Sequence, residues 1–357
     1  MEKEKKSKIK KILVNLTIFI LLIILTFSLV LKDQDVSQIF SVAAKVKKQY
    51  ILFAVLAMSI YILGEAVNIT RILKELGEKS KLISNIRYTL IGFFFSAITP
   101  AASGGQPMEI YYMHKDDISV ANSTLALLMQ LCSLQIVTIT VGTISAVIHF
   151  EVLKSGLIYL LILGIILNSS ALMLLIIAIF SKKLSEGLIK IVVKLLKFFR
   201  IPNVEKKQEK LEKELESYQT SARYIKEHKI LMLKTVITTV VQMIAYYSVP
   251  YWIYLAFGLT EYNIFEILTL QAVLYATVSG IPSPGAVGVS EGGFLGIFKN
   301  VFPETIISSA MLLTRGANFY LFIIISAIIV MISTFREKRI EKKQMQETEV
   351  LTEKSEK

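Results

Sequence analysis

Two acidic residues stand in apolar stretches that proline and glycine interrupt. Glu109 lies in Ser96–Lys115 (SAITPAASGGQPMEIYYMHK), and Glu291 lies in Ser279–Lys299 (SGIPSPGAVGVSEGGFLGIFK). At membrane depth, backbone broken in this way is tolerated only where protein surrounds it or where it lines a watery cavity. A carboxylate there could bind a cationic group or carry protons, and it could equally cap the amino terminus of a helix.

The spacing between proline and glutamate is the same in both stretches. Pro100 precedes Glu109 by the same number of residues as Pro282 precedes Glu291. Interrupted hydrophobic segments at corresponding places in two halves of a chain indicate the substrate site of a transporter. We therefore expect the two carboxylates to approach the middle of the membrane from opposite faces.

Three further charged residues in apolar segments are candidates for the same site. Arg315 could pair with a substrate phosphate through its planar fork, or it could form a structural ion pair with Glu291 or Glu109. Glu65 and Arg71 could contribute to the site, or they could extend toward the membrane surface from the end of a helix.

The interrupted stretches supply the remaining candidate residues for substrate binding and translocation. Some would line a polar path and others would shape the backbone: Gln106, Ser103, Pro100, Pro107, Gly104, Gly105, Pro282, Pro284, Gly285 and Gly288. No metal site and no cofactor is expected, because Cys132 is the single cysteine and the three histidines follow no ligand spacing. No catalytic residue is assigned.

Composition places these residues in a polytopic membrane protein. Of the 357 residues 54% are hydrophobic, and the mean hydropathy is +0.58. The net charge of +12 is typical of cytoplasmic loops that face anionic lipid, so nucleic-acid binding is not expected. The sequence also lacks a phosphate-binding loop motif, which argues against an ATP-driven motor.

Apolar runs long enough to cross a bilayer predict an all-α fold with six full spans. They cover residues 12–31, 50–69, 123–150, 157–180, 230–257 and 305–334. If each interrupted stretch also crossed once, the insertion 181–229 with its 13 Lys and Arg would lie outside, against the positive-inside rule. We therefore predict that both interrupted stretches are re-entrant hairpins. The short polar segment 71–87 is predicted to be an inner loop.

This topology divides the chain into a basic amino terminus, a transmembrane domain and a charged tail, with both termini cytoplasmic. The segments are 1–11, 12–334 and 335–357, and the domain has halves at about 12–150 and 151–334 in an inverted-topology repeat. The insertion 181–229 is predicted to hold an amphipathic helix on the inner membrane surface, followed by a solvated helix.

Three segments of the chain resemble a known family. The runs TPAASGGQPMEIYYMHK, IPSPGAVGVSEGGF and LLTRGANFY are similar to the flippase-like membrane domain of lysylphosphatidylglycerol synthases, also called phosphatidylglycerol lysyltransferases or multiple peptide resistance factors. The similarity extends over about residues 10–335. In full-length members a cytoplasmic domain transfers lysine from lysyl-tRNA to phosphatidylglycerol, and the membrane domain presents the product to the outer leaflet. The resemblance thus implies a bacterial cytoplasmic membrane protein linked to resistance against cationic antimicrobial peptides.

No aminoacyl-transfer domain is visible after Thr334, so we expect lipid translocation rather than synthesis. The resemblance carries that role to Glu109, Glu291 and Arg315. The alternatives are a phosphatidylglycerol lysyltransferase or its membrane subunit, and a transporter of polyprenyl lipids or solutes. The expected partner is a membrane phospholipid. A separate aminoacyl-lipid synthase and a second copy of the chain are further options.

Overall fold

The structure is a computed structural model that describes residues 41–99, 102–149, 157–181, 204–281 and 283–336, together with 17, 187 and 194. Throughout these residues the regular secondary structure is helical. The α-helices are α1 (Lys48–Glu75), α2 (Leu82–Ile98), α3 (Gly105–Lys115), α4 (Val120–Ile148), α5 (Leu157–Phe180), α6 (Val204–Glu227), α7 (Lys229–Ala256), α8 (Ile264–Val278), α9 (Val289–Ile297) and α10 (Ile307–Arg315). A 3-10 turn (Pro284–Ala286) precedes α9, and a π-helical turn (Gly316–Tyr320) follows α10.

Five helices are long and apolar enough to cross a membrane. They are α1, α4, α5, α7 and the continuous helix Ile307–Arg336 that contains α10. These correspond to five of the six predicted spans. The other predicted span, 12–31, and most of the predicted amphipathic helix lie outside the described residues. The predicted inner loop 71–87 was too long, because α1 continues to Glu75 and α2 begins at Leu82.

The first interrupted stretch contains the link between α2 and α3, and these two helices pack together as a helical hairpin, here called the first hairpin (α2 and α3). Its two helices touch where Gly92 faces Glu109, since a Cβ atom on Gly92 would lie 2.0 Å from Glu109 Oε1. At the opposite end Arg87 forms an ion pair with Asp116 and so joins the start of α2 to the end of α3. The absence of a side chain at Gly92 therefore leaves room for the Glu109 side chain between α2 and α3.

The second interrupted stretch links α8 to α9, and these two helices pack together as a second hairpin that also contacts the neighbouring spans. A Cβ atom on Gly293 would lie 2.6 Å from Leu274 Cδ1, which brings α9 against α8. Gly164 of α5 packs on the backbone of α8, where an added Cβ would lie 2.4 Å from the carbonyl oxygen of Ala276. Small residues at such crossings let helix backbones approach closely.

The order of elements repeats along the chain. First, the span α1 is followed by the first hairpin and then by the span α4. Later, the span α7 is followed by the second hairpin and then by the span Ile307–Arg336. The corresponding helices α1 and α7 pack along each other. The buried Asn68 of α1 donates to Gln130 Oε1 at 2.8 Å, and Gln130 donates to Gln242 Oε1 of α7 at 3.3 Å. Hydrogen bonds of this kind between membrane helices contribute about 0.6 kcal/mol each.

The second part of the polar insertion is helical, as predicted, but one face of it is docked rather than solvated. Ile225 of α6 is fully buried, and Ser221 Oγ donates to Asn122 Oδ1 of α4 at 2.8 Å. The Tyr218 hydroxyl donates to the carbonyl oxygen of Ala178 at 2.9 Å, and burial raises the pKa of Tyr218 to about 12. The outer face carries the expected pairs, such as Lys213 with Glu209 at 2.8 Å.

Candidate functional site

Glu291 stabilises the break in the second hairpin. The turn before α9 requires left-handed backbone, with φ of 59° at Gly285 and 88° at Gly288. Glu291, in the first turn of α9, accepts a hydrogen bond from the Gly288 backbone N–H at 2.7 Å through Oε2. The helix-cap interpretation of this glutamate is therefore confirmed.

The other carboxylate oxygen of Glu291 is bound by two side chains. Arg315 Nε donates to Oε1 at 2.7 Å, and the Tyr320 hydroxyl donates to the same oxygen at 3.1 Å. The guanidinium also donates through Nη2 to the carbonyl oxygen of Gly285 at 3.1 Å and lies 4.0 Å from the centre of the Phe319 ring. Arg315 thus forms the structural ion pair that the sequence left open.

The local backbone explains how this arrangement arises. Phe319 and Tyr320 lie in the π-helical turn Gly316–Tyr320, which directly follows Arg315. Such turns alter the register of the side chains after them and often mark functional sites. Gly285 cannot carry a side chain here, because an added Cβ would lie 2.2 Å from Phe319 Cζ.

Glu109 is buried in a different environment. It lies in the second turn of α3, with Pro107 in the first turn as predicted, and only 3% of it is exposed. Its Oε2 has no hydrogen-bond partner among the described residues, and the helix-cap interpretation is wrong for this glutamate. A buried carboxylate oxygen without a donor is energetically costly, so this site lacks a donor or cation that a ligand could supply.

Glu109 lines a cavity of about 430 Å³, here called the larger chamber. The chamber lies among both hairpins and α1, α4 and α5. Its lining consists of Tyr61, Glu65, Thr89, Gly92, Phe93, Ser96, Ala102, Ser103, Gln106, Glu109, Leu131, Leu134, Gln135, Thr138, Asn168, Tyr275 and Ser279. Glu65 and Glu109 are its charged members, and no Lys, Arg or His occurs among the described lining residues.

A smaller chamber of about 290 Å³ adjoins the larger one. The residues that line both are Tyr61, Phe93, Ser96, Ala102, Tyr275 and Ser279. Among the described lining residues of the smaller chamber, Arg315 is the charged one. Ser283 Oγ and Asn318 Oδ1 also line it and are buried without a partner in the part of the chain that the structure describes. The two chambers together offer polar groups to a ligand with separated charges.

The predicted site residues differ in where the structure places them. Glu65, Ser103, Gln106 and Glu109 line the larger chamber, and Gly285 and Arg315 line the smaller one. Gly104, Gly105, Pro284, Gly288 and Glu291 shape the hairpins around them. Arg71 and Pro107 belong to neither chamber, and Pro100 and Pro282 lie outside the described residues.

Arg71 has a structural contact instead of a place in the site. Its Nη1 donates to the carbonyl oxygen of Lys234 at 2.9 Å and to Thr238 Oγ1 at 3.1 Å. These bonds join α1 to α7. The same atom also donates to Asn68 Oδ1 at 2.9 Å, so Arg71 extends the buried polar contacts between the two helices.

Sequence reasoning did not identify several polar lining residues. Thr89 and Gln135 line the larger chamber, and Thr89 Oγ1 and Gln135 Oε1 are buried without partners among the described residues. Gln130, about one and a half turns earlier in α4, joins helices instead, because it accepts a hydrogen bond from Asn68 of α1. A glutamine in an apolar span is the available signal, but the sequence does not show which face of the helix carries it.

Comparison with known proteins agrees with the presence of membrane-spanning helices. A search of the curated proteins gives no match. The sequence matches the family described as Lysylphosphatidylglycerol synthase TM region over residues 12–326, which is most of the chain. The chain therefore belongs to the lysylphosphatidylglycerol synthase transmembrane-region family.

Proposed function

We propose that this protein translocates a phospholipid with an amine-bearing headgroup across the bacterial cytoplasmic membrane. The best candidate is an aminoacylated phospholipid such as lysylphosphatidylglycerol, a choice that the family description supports. The observation that carries the proposal is the larger chamber, where Glu65 and Glu109 face a cavity whose described lining has no basic residue. An ammonium group would supply the missing charge and the hydrogen-bond donors.

The adjoining chambers suit the opposite charges within such a headgroup. The ammonium would lie between Glu65 and Glu109, and the phosphate would lie in the smaller chamber beside Arg315. Arg315 is held by Glu291, so we assign it two roles: it stabilises the second hairpin, and it offers its remaining surface to the phosphate. Aromatic rings at Tyr61, Phe93 and Tyr275 would contact the headgroup where the chambers meet.

In this proposal the two hairpins enter from opposite faces of the membrane and open the chambers alternately. The repeated order of span, hairpin and span supports this arrangement, which is the plan of inverted-repeat transporters. The insertion 181–229 and both termini would be cytoplasmic. Outward movement of a cationic lipid would lower the negative surface charge and so increase resistance to cationic antimicrobial peptides.

The test is reconstitution in liposomes that contain lysylphosphatidylglycerol in the inner leaflet. A membrane-impermeant amine reagent reports how fast the lipid appears outside. Translocation is expected with the wild-type protein, at a rate lower by about tenfold or more with the Glu109→Gln variant, and not with protein-free liposomes. Equal rates in all three would refute the proposal.

The family description also supports a second candidate, participation in lysyl-lipid synthesis. Purified protein with lysyl-tRNA and phosphatidylglycerol would then form lysylphosphatidylglycerol. Translocation predicts instead that deletion leaves the total aminoacyl-lipid unchanged and lowers its share in the outer leaflet. In that case a separate synthase supplies the substrate.

A further inference from the structure

When no lipid occupies the larger chamber, its two carboxylates have no positively charged partner among the described lining residues. Its described lining contains the carboxylates of Glu65 from α1 and Glu109 from α3. The other titratable groups that face it are the hydroxyls of Tyr61 from α1 and Tyr275 from α8. Helices α2, α4 and α5 contribute neutral groups, among them Thr89, Gln135, Thr138 and Asn168.

Arg315, which lines the adjoining chamber, does not supply the missing positive charge. Arg315 already donates to Glu291 at 2.7 Å and to the Gly285 carbonyl oxygen at 3.1 Å. Two carboxylates that share a buried cavity cannot both remain charged without a compensating positive charge. When the substrate ammonium leaves, that charge must come from solvent.

A second observation indicates that a donor is missing as well as a charge. Thr89 is 2% exposed and lines the larger chamber, yet its Oγ1 has no partner among the described residues. Gln135 Oε1 and Glu109 Oε2 are likewise buried and without a partner there. An ionised carboxylate only accepts hydrogen bonds, whereas a protonated carboxyl group donates one. Protonation would therefore provide both the neutralisation and a donor for one of these oxygens.

We propose that the empty larger chamber holds one proton on the Glu65 and Glu109 pair, and that the ammonium group of the substrate displaces it. The carboxyl O–H bond breaks, the proton passes to water, and the resulting carboxylate pairs with the ammonium group. The proton returns when the lipid leaves. This inference rests on the proposed function and adds the coupling: lipid moves outward as a proton moves inward, so the proton gradient drives translocation.

The proton can be tested without lipid. Infrared spectra of the purified, ligand-free protein in detergent at neutral pH would show the C=O stretch of a protonated carboxyl group. We expect this band in the wild type and in Glu304→Gln, a matched change at an exposed site. We expect the band to be lost in Glu109→Gln or Glu65→Gln. Each variant must first keep the buried Cys132 protected from a thiol reagent, which shows that it is folded.

The exchange is tested separately with a pH-indicator dye in weak buffer. The protein should release about one proton per molecule when it binds lysylphosphatidylglycerol from micelles. Phosphatidylglycerol micelles should cause no release. Absence of the infrared band would overturn the proton site. If the band is absent and sodium raises the unfolding temperature in a saturable way, a sodium ion rather than a proton occupies the chamber. A band without proton release, despite lipid binding, would refute the exchange but leave translocation intact. A band with no binding of amine-bearing lipid would refute the proposed substrate.

Discussion

Glu291 and Arg315 form a buried ion pair, with Arg315 Nε 2.7 Å from Glu291 Oε1, and both side chains are less than 10% exposed. The Gly288 N–H and the Tyr320 hydroxyl complete the hydrogen bonds of this carboxylate. Glu109 occupies the corresponding place in the other hairpin and has no comparable partner among the described residues. The two glutamates share a sequence spacing but differ in role, since one holds a break in the backbone and the other faces a cavity.

The first prediction concerns the stability that this pair provides. Glu291→Gln leaves the buried guanidinium of Arg315 without its counter-charge, and breaking a buried pair in this way costs about 3–5 kcal/mol. We expect a clear fall in the unfolding temperature. Reaction of a thiol dye with Cys132 reports unfolding, because Cys132 is the single cysteine and is only 3% exposed.

Glu304→Gln is the control for this measurement, because Glu304 is exposed. We expect its unfolding temperature to equal that of the wild type. Unchanged stability of Glu291→Gln would mean that the ion pair does not hold the second hairpin.

The second prediction uses the contact between Gly92 and Glu109. Gly92→Ala places a methyl group where Glu109 Oε1 now lies, 2.0 Å from the ideal Cβ position. A flexible side chain can move aside, so we expect little loss of stability but slower lipid translocation in liposomes. Gly292→Ala is the matched control, since an added Cβ there meets nothing within 4 Å. Equal transport by both variants would contradict the importance of the Glu109 position.

The third prediction concerns the anchoring of the second hairpin. Gly164→Ala would bring a methyl group to 2.4 Å from the Ala276 carbonyl oxygen and 2.7 Å from that of Thr277, and backbone cannot move aside easily. We expect the unfolding temperature to fall. Gly316→Ala adds the same group in open space and should be neutral. Similar values for the two variants would show that α5 and α8 can separate without penalty.

The fourth prediction separates Arg71 from the site. Arg71→Ala removes the donor to Lys234 and Thr238 of α7, and hydrogen bonds from a charged group contribute about 1.5–3 kcal/mol. Lower thermal stability is expected, while the translocation rate per folded protein should match that of the wild type. A loss of transport without a loss of thermal stability would mean that Arg71 does contribute to the substrate path.

Much of the fold could be predicted from hydropathy, because an apolar run must cross the bilayer as a helix. Five predicted spans appear as helices close to their expected limits. That the two interrupted stretches are re-entrant in the membrane stays a prediction. The start of α2 at Leu82 was missed because the five Lys and Arg of residues 71–87 indicated an inner loop. Asn85 is in fact buried and donates to Thr70 Oγ1 and Ser80 Oγ, which tertiary contacts alone reveal.

The candidate site was less predictable, because its chemistry depends on which polar groups meet. The sequence indicated Glu109, Glu291 and Arg315, but it left open which glutamate pairs with the arginine. Only folding brings Arg315 to Glu291 and Glu65 to the chamber of Glu109. Thr89 and Gln135 were missed because a single neutral polar residue in an apolar helix more often joins helices than lines a cavity.

The proposed function depends on substrate binding by Glu109. The most direct measurement compares translocation of lysylphosphatidylglycerol by wild-type, Glu109→Gln and Glu304→Gln proteins in liposomes, with folding verified by protection of Cys132. We expect Glu109→Gln to be folded and as stable as the wild type. Its translocation should be slower by about tenfold or more, as expected for the loss of a charge-assisted hydrogen bond of about 1.5–3 kcal/mol. Wild-type translocation rates in folded Glu109→Gln protein would contradict substrate binding by Glu109.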